Sequence, residues 1–205
     1  MQYGFHIDAN ACTGCKACAM ACKDKNAVQR GVKLRKVIDY AGGSWREGDG
    51  VCTPVNVFNY SVSLSCNHCA SPECVKACPT SAMTKDPETG IVSNRHDICI
   101  GCGMCRIACP YDAPRVVPDF GYTYKCDMCA DLVGEGLNPA CVDACVMRCL
   151  HFGDLDELRA RYGSNVDIEP LPSSELTHPS IVITKSRFCD LGERGEIRNS
   201  PEELE

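Results

Sequence analysis

Cysteine spacing constrains this protein more than any other feature. Cys12, Cys15, Cys18 and Cys22 follow the pattern C-x2-C-x2-C-x3-C, and Cys99, Cys102, Cys105 and Cys109 repeat it. Gly14 answers Gly101 and Ala21 answers Ala108, so the sequence carries an internal duplication. Two further groups are stretched versions. Cys66, Cys69, Cys74 and Cys78 are separated by x2, x4 and x3, and Cys126, Cys129, Cys141 and Cys145 by x2, x11 and x3. These groups take up sixteen of the nineteen cysteines, leaving Cys52, Cys149 and Cys189, which are expected to be free, buried thiols.

The spacing has a physical reading. Three thiolates two residues apart on one tight loop can reach three corners of a [4Fe–4S] cube, and the fourth corner needs a thiolate from elsewhere. In two-cluster ferredoxins the last cysteine of each run, three residues further on and often followed by proline, ligates the other cluster. Cys78-Pro79 and Cys109-Pro110 keep that proline, which cannot extend a helical turn. Lys23 and Val146 stand in its place in the outer groups, where the turns are expected to continue as longer helices. Gly14, Gly101 and Gly103 lie between ligands, where positive φ would let backbone N–H groups approach the sulfurs.

Other uses of cysteine fit less well. A zinc site pairs two CxxC knuckles or adds histidines; three cysteines at x2-x2 exceed what one ion uses, and no two of the five histidines have the right spacing. A disulfide scaffold belongs to an oxidising compartment, and cysteines three apart on one loop are poor bridging partners. A radical-generating cluster loop uses x3 then x2 spacing and leaves one iron open, whereas every group here has a fourth cysteine. Composition agrees: without cysteine the hydrophobic share falls from 44% to about 35%, thin for a protein of 205 residues. Something besides side chains must fill part of the interior.

A net charge of −6 with scattered Lys and Arg gives no basic face for nucleic acid. The stretch Met1 to Asp8 shows neither an export signal nor a twin-arginine pair, and no run is long and apolar enough to span a bilayer. Work at a membrane would need a partner to hold the protein there.

The expected class is α+β, with two ferredoxin-like two-cluster modules, an inserted β-hairpin and an extended C-terminal arm. Tyr3 to Ile7 and Gly90 to Ser93 are expected strands leading into the first and third cysteine loops. Thr84 to Gly90 reads as a hairpin turn inside a module built on the second and third groups, residues 62–116. The first and fourth groups would then pair across the sequence as an outer module, residues 1–30 with 120–152. Spacing alone leaves consecutive pairing open. Residues 31–61 read as the inserted hairpin, turning at the Gly-rich Ala41 to Trp45, with Trp45 as a packing anchor. The region 153–205 is expected to start with a helix capped by Asp154 and ended by Gly163, a lid over the outer module. Beyond it Pro170, Pro172 and Pro179 break any pattern, and Ile181 to Thr184 is an isolated β-branched run. Such a tail is expected to pack on a partner or stay mobile, with residues 200–205 loose.

Particular stretches resemble one family. Cys12-Thr-Gly-Cys-Lys16, Ala21-Cys-Lys-Asp24, Tyr40-Ala-Gly-Gly-Ser-Trp45, Ser65-Cys-Asn-His-Cys69, Cys99-Ile-Gly-Cys102, Ala108-Cys-Pro-Tyr111 and Lys125-Cys-Asp127 are similar to the iron–sulfur electron-transfer subunits, or B subunits, of anaerobic dimethyl sulfoxide reductases. The resemblance covers nearly the whole sequence and implies nested pairing with four [4Fe–4S] clusters. Cys12, Cys15, Cys18 and Cys145 would hold one; Cys126, Cys129, Cys141 and Cys22 the next; Cys66, Cys69, Cys74 and Cys109 another; Cys99, Cys102, Cys105 and Cys78 the last. Some relatives carry Trp where Cys102 stands and bind a [3Fe–4S] cluster there, so the thiolate implies four cubanes.

The resemblance further implies partners: a molybdopterin catalytic subunit that reduces S- or N-oxides and an integral membrane anchor that oxidises quinol. The subunit itself would be peripheral to the cytoplasmic membrane, on a face the sequence leaves open, assembled in the cytoplasm and either kept there or exported folded with a signal-bearing partner. No acid–base or nucleophile constellation is evident, so no catalytic residue is expected. Two other functions remain in view: the matching subunit of a polysulfide, tetrathionate or formate enzyme, and a polyferredoxin-like carrier or hydrogenase adaptor.

Overall fold

The computed structural model describes residues 1–117, 120–189 and 194–200. In sequence order the elements are β1 (Tyr3–Asp8), α1 (Ala17–Lys25), β2 (Lys36–Gly48), β3 (Val51–Leu64), α2 (Glu73–Lys76), β4 (Met83–Lys85), β5 (Val92–Asn94) and α3 (Met104–Ile107). There follow β6 (Arg115–Val117), β7 (Tyr122–Tyr124), α4 (Ala130–Gly134), α5 (Ala140–Asp143), β8 (Leu150–Asp154), α6 (Leu155–Tyr162), β9 (Ile181–Thr184) and β10 (Glu196–Ile197). The molecule is thus mixed α and β, with short helices and four small sheets among the described residues.

β1 lies between β8, antiparallel to it, and β9, parallel to it. Phe5 and Ile7 enter the main core, while His6 stacks on Tyr162 of α6 at 3.7 Å. Both faces are covered, so Gly4 to Ile7 are all buried and the strand lacks the polar alternation of a one-sided sheet. The pairing also brings the two cysteine-bearing ends together: the Asp8 N–H donates to the Cys149 carbonyl at 2.8 Å, and α1 packs beside α5. Elsewhere α2 packs beside α3, next to the small β4–β5 hairpin. The strand expected at Gly90 to Ser93 begins two residues later, because Gly90, with φ +72°, belongs to the preceding turn.

The inserted hairpin turns in a different place from the one expected. β2 and β3 pair from Lys36 with Leu64 outward to Gly48 with Val51, and the backbone reverses at Asp49-Gly50, both at positive φ. Such Asp-Gly pairs match the twist of the flanking strands. The Gly-rich stretch instead lies within β2, where the register shifts between Gly42 and Ser44. Gly43, at φ +97°, absorbs that bulge; a Cβ there would meet the Asn56 carbonyl oxygen at 2.5 Å. Only the inner half of the hairpin is core, through Val37, Tyr40, Phe58, Tyr60 and Val62. Trp45, expected as an anchor, lies on the outer half and is 62% exposed. Cys52 is exposed there as well, against the expectation of burial.

α1 runs for nine residues, as the missing proline after Cys22 suggests, but α5 stops at Asp143 although Val146 follows Cys145. Here the backbone must turn at Arg148, φ +51°, so that Leu150 can start β8 against β1. Asp154 caps α6 by accepting from the N–H groups of Asp156 and Glu157 at 2.9 and 3.3 Å, and Gly163 ends it. The described residues after α6 include strands that pair with the rest of the molecule. Ile181, Val182 and Ile183 are at most 2% exposed as β9, and β10 adds to β2. The Asn199 side chain donates to the Val37 carbonyl at 2.8 Å. Of residues 200–205, expected to be loose, only Ser200 is among the described residues.

Candidate iron–sulfur sites

The cysteine loops are shaped by left-handed residues. Gly14, Gly101 and Gly103 take φ of +68°, +64° and +75°, as expected, and Met128 and Cys129 do the same in the fourth loop. A Cβ at Gly101 would lie 2.7 Å from the Gly121 carbonyl oxygen, so that loop has no room for a side chain. The fourth cysteine of each group shares one feature that spacing does not reveal. Its sulfur accepts a hydrogen bond from a donor four or five residues on: Asn26 Nδ2 to Cys22 at 3.7 Å, and the backbone N–H of Met83 to Cys78, Ala113 to Cys109 and Cys149 to Cys145 at 3.3–3.5 Å. Such bonds fix a thiolate and stabilise its charge.

All nineteen cysteines are unbridged. Cys66, Cys69, Cys74 and Cys109 line one small cavity. Cys12, Cys15, Cys18 and Cys145 line a second, together with Cys149. Each cavity therefore takes three sulfurs from one cysteine group and the fourth from another. Elsewhere the Cys22 thiol feels the charges of Cys141 and Cys129 and is pushed up to about 12, mainly by burial. The Cys105 thiol feels Cys99 and Cys102, while Cys78 packs on the small core of Cys74, Met83, Val92 and Cys105.

The residues around the first cavity fit a [4Fe–4S] cluster. Among the described residues no three His, Cys, Asp or Glu side chains converge tightly enough for a single metal ion. The thiols instead surround a volume, as a polynuclear group requires. Asn67, Tyr111 and Thr177 also line this cavity; among the described residues Asn67 Nδ2 is buried without a partner, while Thr177 interacts with Tyr111 and Cys69. Buried polar atoms are rarely left unpaired, and a donor facing four thiols suits a bound anionic group. His68 behaves similarly: its Nδ1 accepts from the Val92 N–H at 2.9 Å, leaving a buried Nε2 unpaired among the described residues. Burial, then Lys125 and Lys85, keep that ring neutral. Cys74 and Cys69 are raised to about 12 and about 11, chiefly by burial, so their thiolates need positive charge nearby to form.

Two buried cations supply positive charge to the thiols, Lys125 to Cys74 and Cys126, and Arg35 to Cys18, Cys22 and Cys126. Arg35 is 2% exposed; its guanidinium donates to Ser63 Oγ and Ser65 Oγ at 3.0 and 2.9 Å and sits 4.8 Å from the centre of the Phe5 ring. Burial opposes its charge, but Cys141, Cys18, Cys126 and Cys22 around it raise its pKa overall. Lys125 Nζ donates to the carbonyls of Cys126, at 2.5 Å, and Val92. No sequence pattern points to Arg35. Lys125, Asn67 and His68 lie within the motifs that carry the resemblance, but nothing in those motifs announces their role as donors.

A 4Fe–4S dicluster domain model matches residues 57–155, and a 4Fe–4S binding domain model matches residues 3–24. The protein is 43% identical to the B subunit of anaerobic dimethyl sulfoxide reductase of Haemophilus influenzae, over 99% of both sequences. It is 49% identical to the protein of the same name in Escherichia coli K12, over 89% of this sequence and 88% of that one. This protein belongs to the family of anaerobic dimethyl sulfoxide reductase B subunits. It is thus an iron–sulfur electron-transfer subunit of an oxidoreductase complex in anaerobic respiration and binds [4Fe–4S] clusters. The hydrogenase-2 operon protein HybA of Escherichia coli O157:H7 is more distant, 33% identical over 86% of this sequence and 58% of its own length. No helix among the described residues is long and apolar enough to cross a membrane.

Proposed function

We propose that this B subunit relays electrons through four [4Fe–4S] clusters, from a quinol-oxidising membrane anchor to a molybdopterin catalytic subunit that reduces dimethyl sulfoxide or a related S- or N-oxide. The observation that carries the reading is the mixed origin of each cavity's thiols: Cys66, Cys69 and Cys74 with Cys109, and Cys12, Cys15 and Cys18 with Cys145. This exchange of fourth ligands is how paired clusters stitch a ferredoxin module together. It favours an inner module at residues 62–116 nested within an outer one formed by 1–30 and 120–152. By the same logic Cys126, Cys129 and Cys141 would share a cluster with Cys22, and Cys99, Cys102 and Cys105 with Cys78. A bound [4Fe–4S] cluster supplies a one-electron carrier at each position.

Contacts between the sets support a linear order: Cys18 neighbours Cys141, Cys126 neighbours Cys66, and Cys74 packs with Cys105. In that order the sets built on Cys12 and Cys99 would be the two ends. Both ends carry exposed apolar side chains, Met20, Val146 and Met147 at one and Ile100, Met104 and Ile107 at the other. Two partners docking there would hold the subunit peripheral to the cytoplasmic membrane. Iron and acid-labile sulfide in the anaerobically purified complex should come to four of each for every one of four clusters. Oxidation of a pre-reduced dye by dimethyl sulfoxide and other S- and N-oxides then tests the acceptor. Failure of every such oxide would overturn the proposed terminal reaction.

A further inference from the structure

The cavity around Cys12, Cys15, Cys18 and Cys145 holds one thiol more than a cube has corners to fill. Cys149 lines it too, is 4% exposed, and its Sγ lies 3.4 Å from Cys145 Sγ. The cavity around Cys66, Cys69, Cys74 and Cys109 has no such fifth cysteine. Local backbone geometry explains the placement. After Cys145 the backbone turns through Arg148, whose N–H donates to the Cys145 carbonyl at 3.1 Å and whose φ is +51°. The turn folds residue 149 back beneath residue 145, and the Cys149 N–H donates to Cys145 Sγ at 3.3 Å. Cys141, Cys145 and Cys149 also continue the x3 step by one more turn.

We propose that Cys149 is a reserve ligand for this cluster, able to replace Cys145. The inference rests on the ligand sets proposed above. In the exchange the Cys149 sulfur forms a bond to iron as the Cys145 sulfur leaves it. The proton released by the Cys149 thiol passes to Cys145 across the short sulfur–sulfur contact. One bond forms, one breaks, one proton moves and no electron is gained or lost, so no oxidant or reductant is needed. A ligand thiolate must shed its proton before it binds metal, and here an adjacent sulfur receives it.

The test compares variants of the full-length protein, purified anaerobically within its complex, by iron and sulfide content and by electron paramagnetic resonance of the reduced protein. Cys145→Ala should keep the full iron content of the parent, with a cluster signal altered by the changed ligand. Cys145→Ala/Cys149→Ala should lose that cluster or convert it to a three-iron form, and Cys149→Ala alone should keep the parent's iron. Cys109→Ala, whose cavity has no spare thiol, is the reference and should lose iron. If Cys145→Ala loses iron as Cys109→Ala does, or cannot be recovered loaded, the reserve role is wrong while the ligand sets stand. A double variant that still holds all its iron would also sink the reserve role. If Cys109→Ala keeps all its iron, the ligand sets themselves are wrong.

Discussion

His6 is a buried base paired with a second imidazole. Its Nδ1 faces His151 Nδ1 at 3.0 Å and its Nε2 meets Thr184 Oγ1 at 2.8 Å, so one imidazole of the pair must donate and the other accept. Burial, then His151, lower the His6 pKa to about 4; Asp8 opposes this and Arg161 adds to it. A native pKa below the unfolded value of 6.5 means that, as pH falls, the unfolded state takes up a proton that the fold refuses. Stability from this site is therefore complete above about pH 6.5 and is lost as pH falls toward about 4, by roughly 3 kcal/mol at most. His6→Gln should flatten the pH dependence of the melting temperature between about pH 7 and about pH 5 relative to the parent; an unchanged slope would show that the site is not responsible. At this scale the sequence is legible only where residues form a pattern. Sixteen cysteines stand out because their spacing recurs, whereas Arg35, Thr177 and His6 are single polar residues outside any repeat, and their role depends on distant neighbours.

Short elements are legible where local chemistry decides them and obscure where tertiary contacts do. The cap of Asp154 on α6 depends on residues within three positions and falls where expected. The hairpin turn falls elsewhere because Gly42-Gly43 and Asp49-Gly50 are both turn signals, and only the pairing of Val37 with Ser63 and onward selects the second. Ile181 to Thr184 reads as isolated because its partner strand, β1, lies at the other end of the sequence. Gly14 shows what one loop position contributes. At φ +68°, with a Cβ placed 2.7 Å from Ser61 Oγ and 3.0 Å from Asp39 Oδ1, alanine would be strained and would also push apart a 2.6 Å hydrogen bond between those side chains. Gly14→Ala should therefore cost about 1–3 kcal/mol in denaturant unfolding of the loaded protein. Gly153→Ala, where a Cβ meets nothing within 4 Å, should stay within about 0.5 kcal/mol of the parent. Equal effects at the two positions would contradict this account of the loop.

At the scale of the whole molecule, the cysteines are part of the interior. The main core includes Cys18, Cys141, Cys145 and Cys149 beside Phe5, Ile7 and Ile183, and smaller cores are built on Cys74, Cys22 and Cys66. Ligand loading and folding are then one process, because a thin apolar core gives little cooperative stability by itself. Stripping iron anaerobically with a chelator should abolish the cooperative melt seen by circular dichroism and expose backbone amides to hydrogen exchange throughout. A stripped form that stayed compact and melted sharply would refute that coupling. Which cysteine groups pair cannot be read from spacing, since pairing is a long-range contact, and β1 makes the longest ones. β1 leaves the ribosome before its strand partners at residues 150–154 and 181–184. The cavity that begins at Cys12 cannot close until Cys145 has emerged, so for most of translation three of its sulfurs stand open to oxidation or stray metals. Maturation of that cavity is accordingly a late event, and it needs reducing conditions from the moment Cys12 emerges.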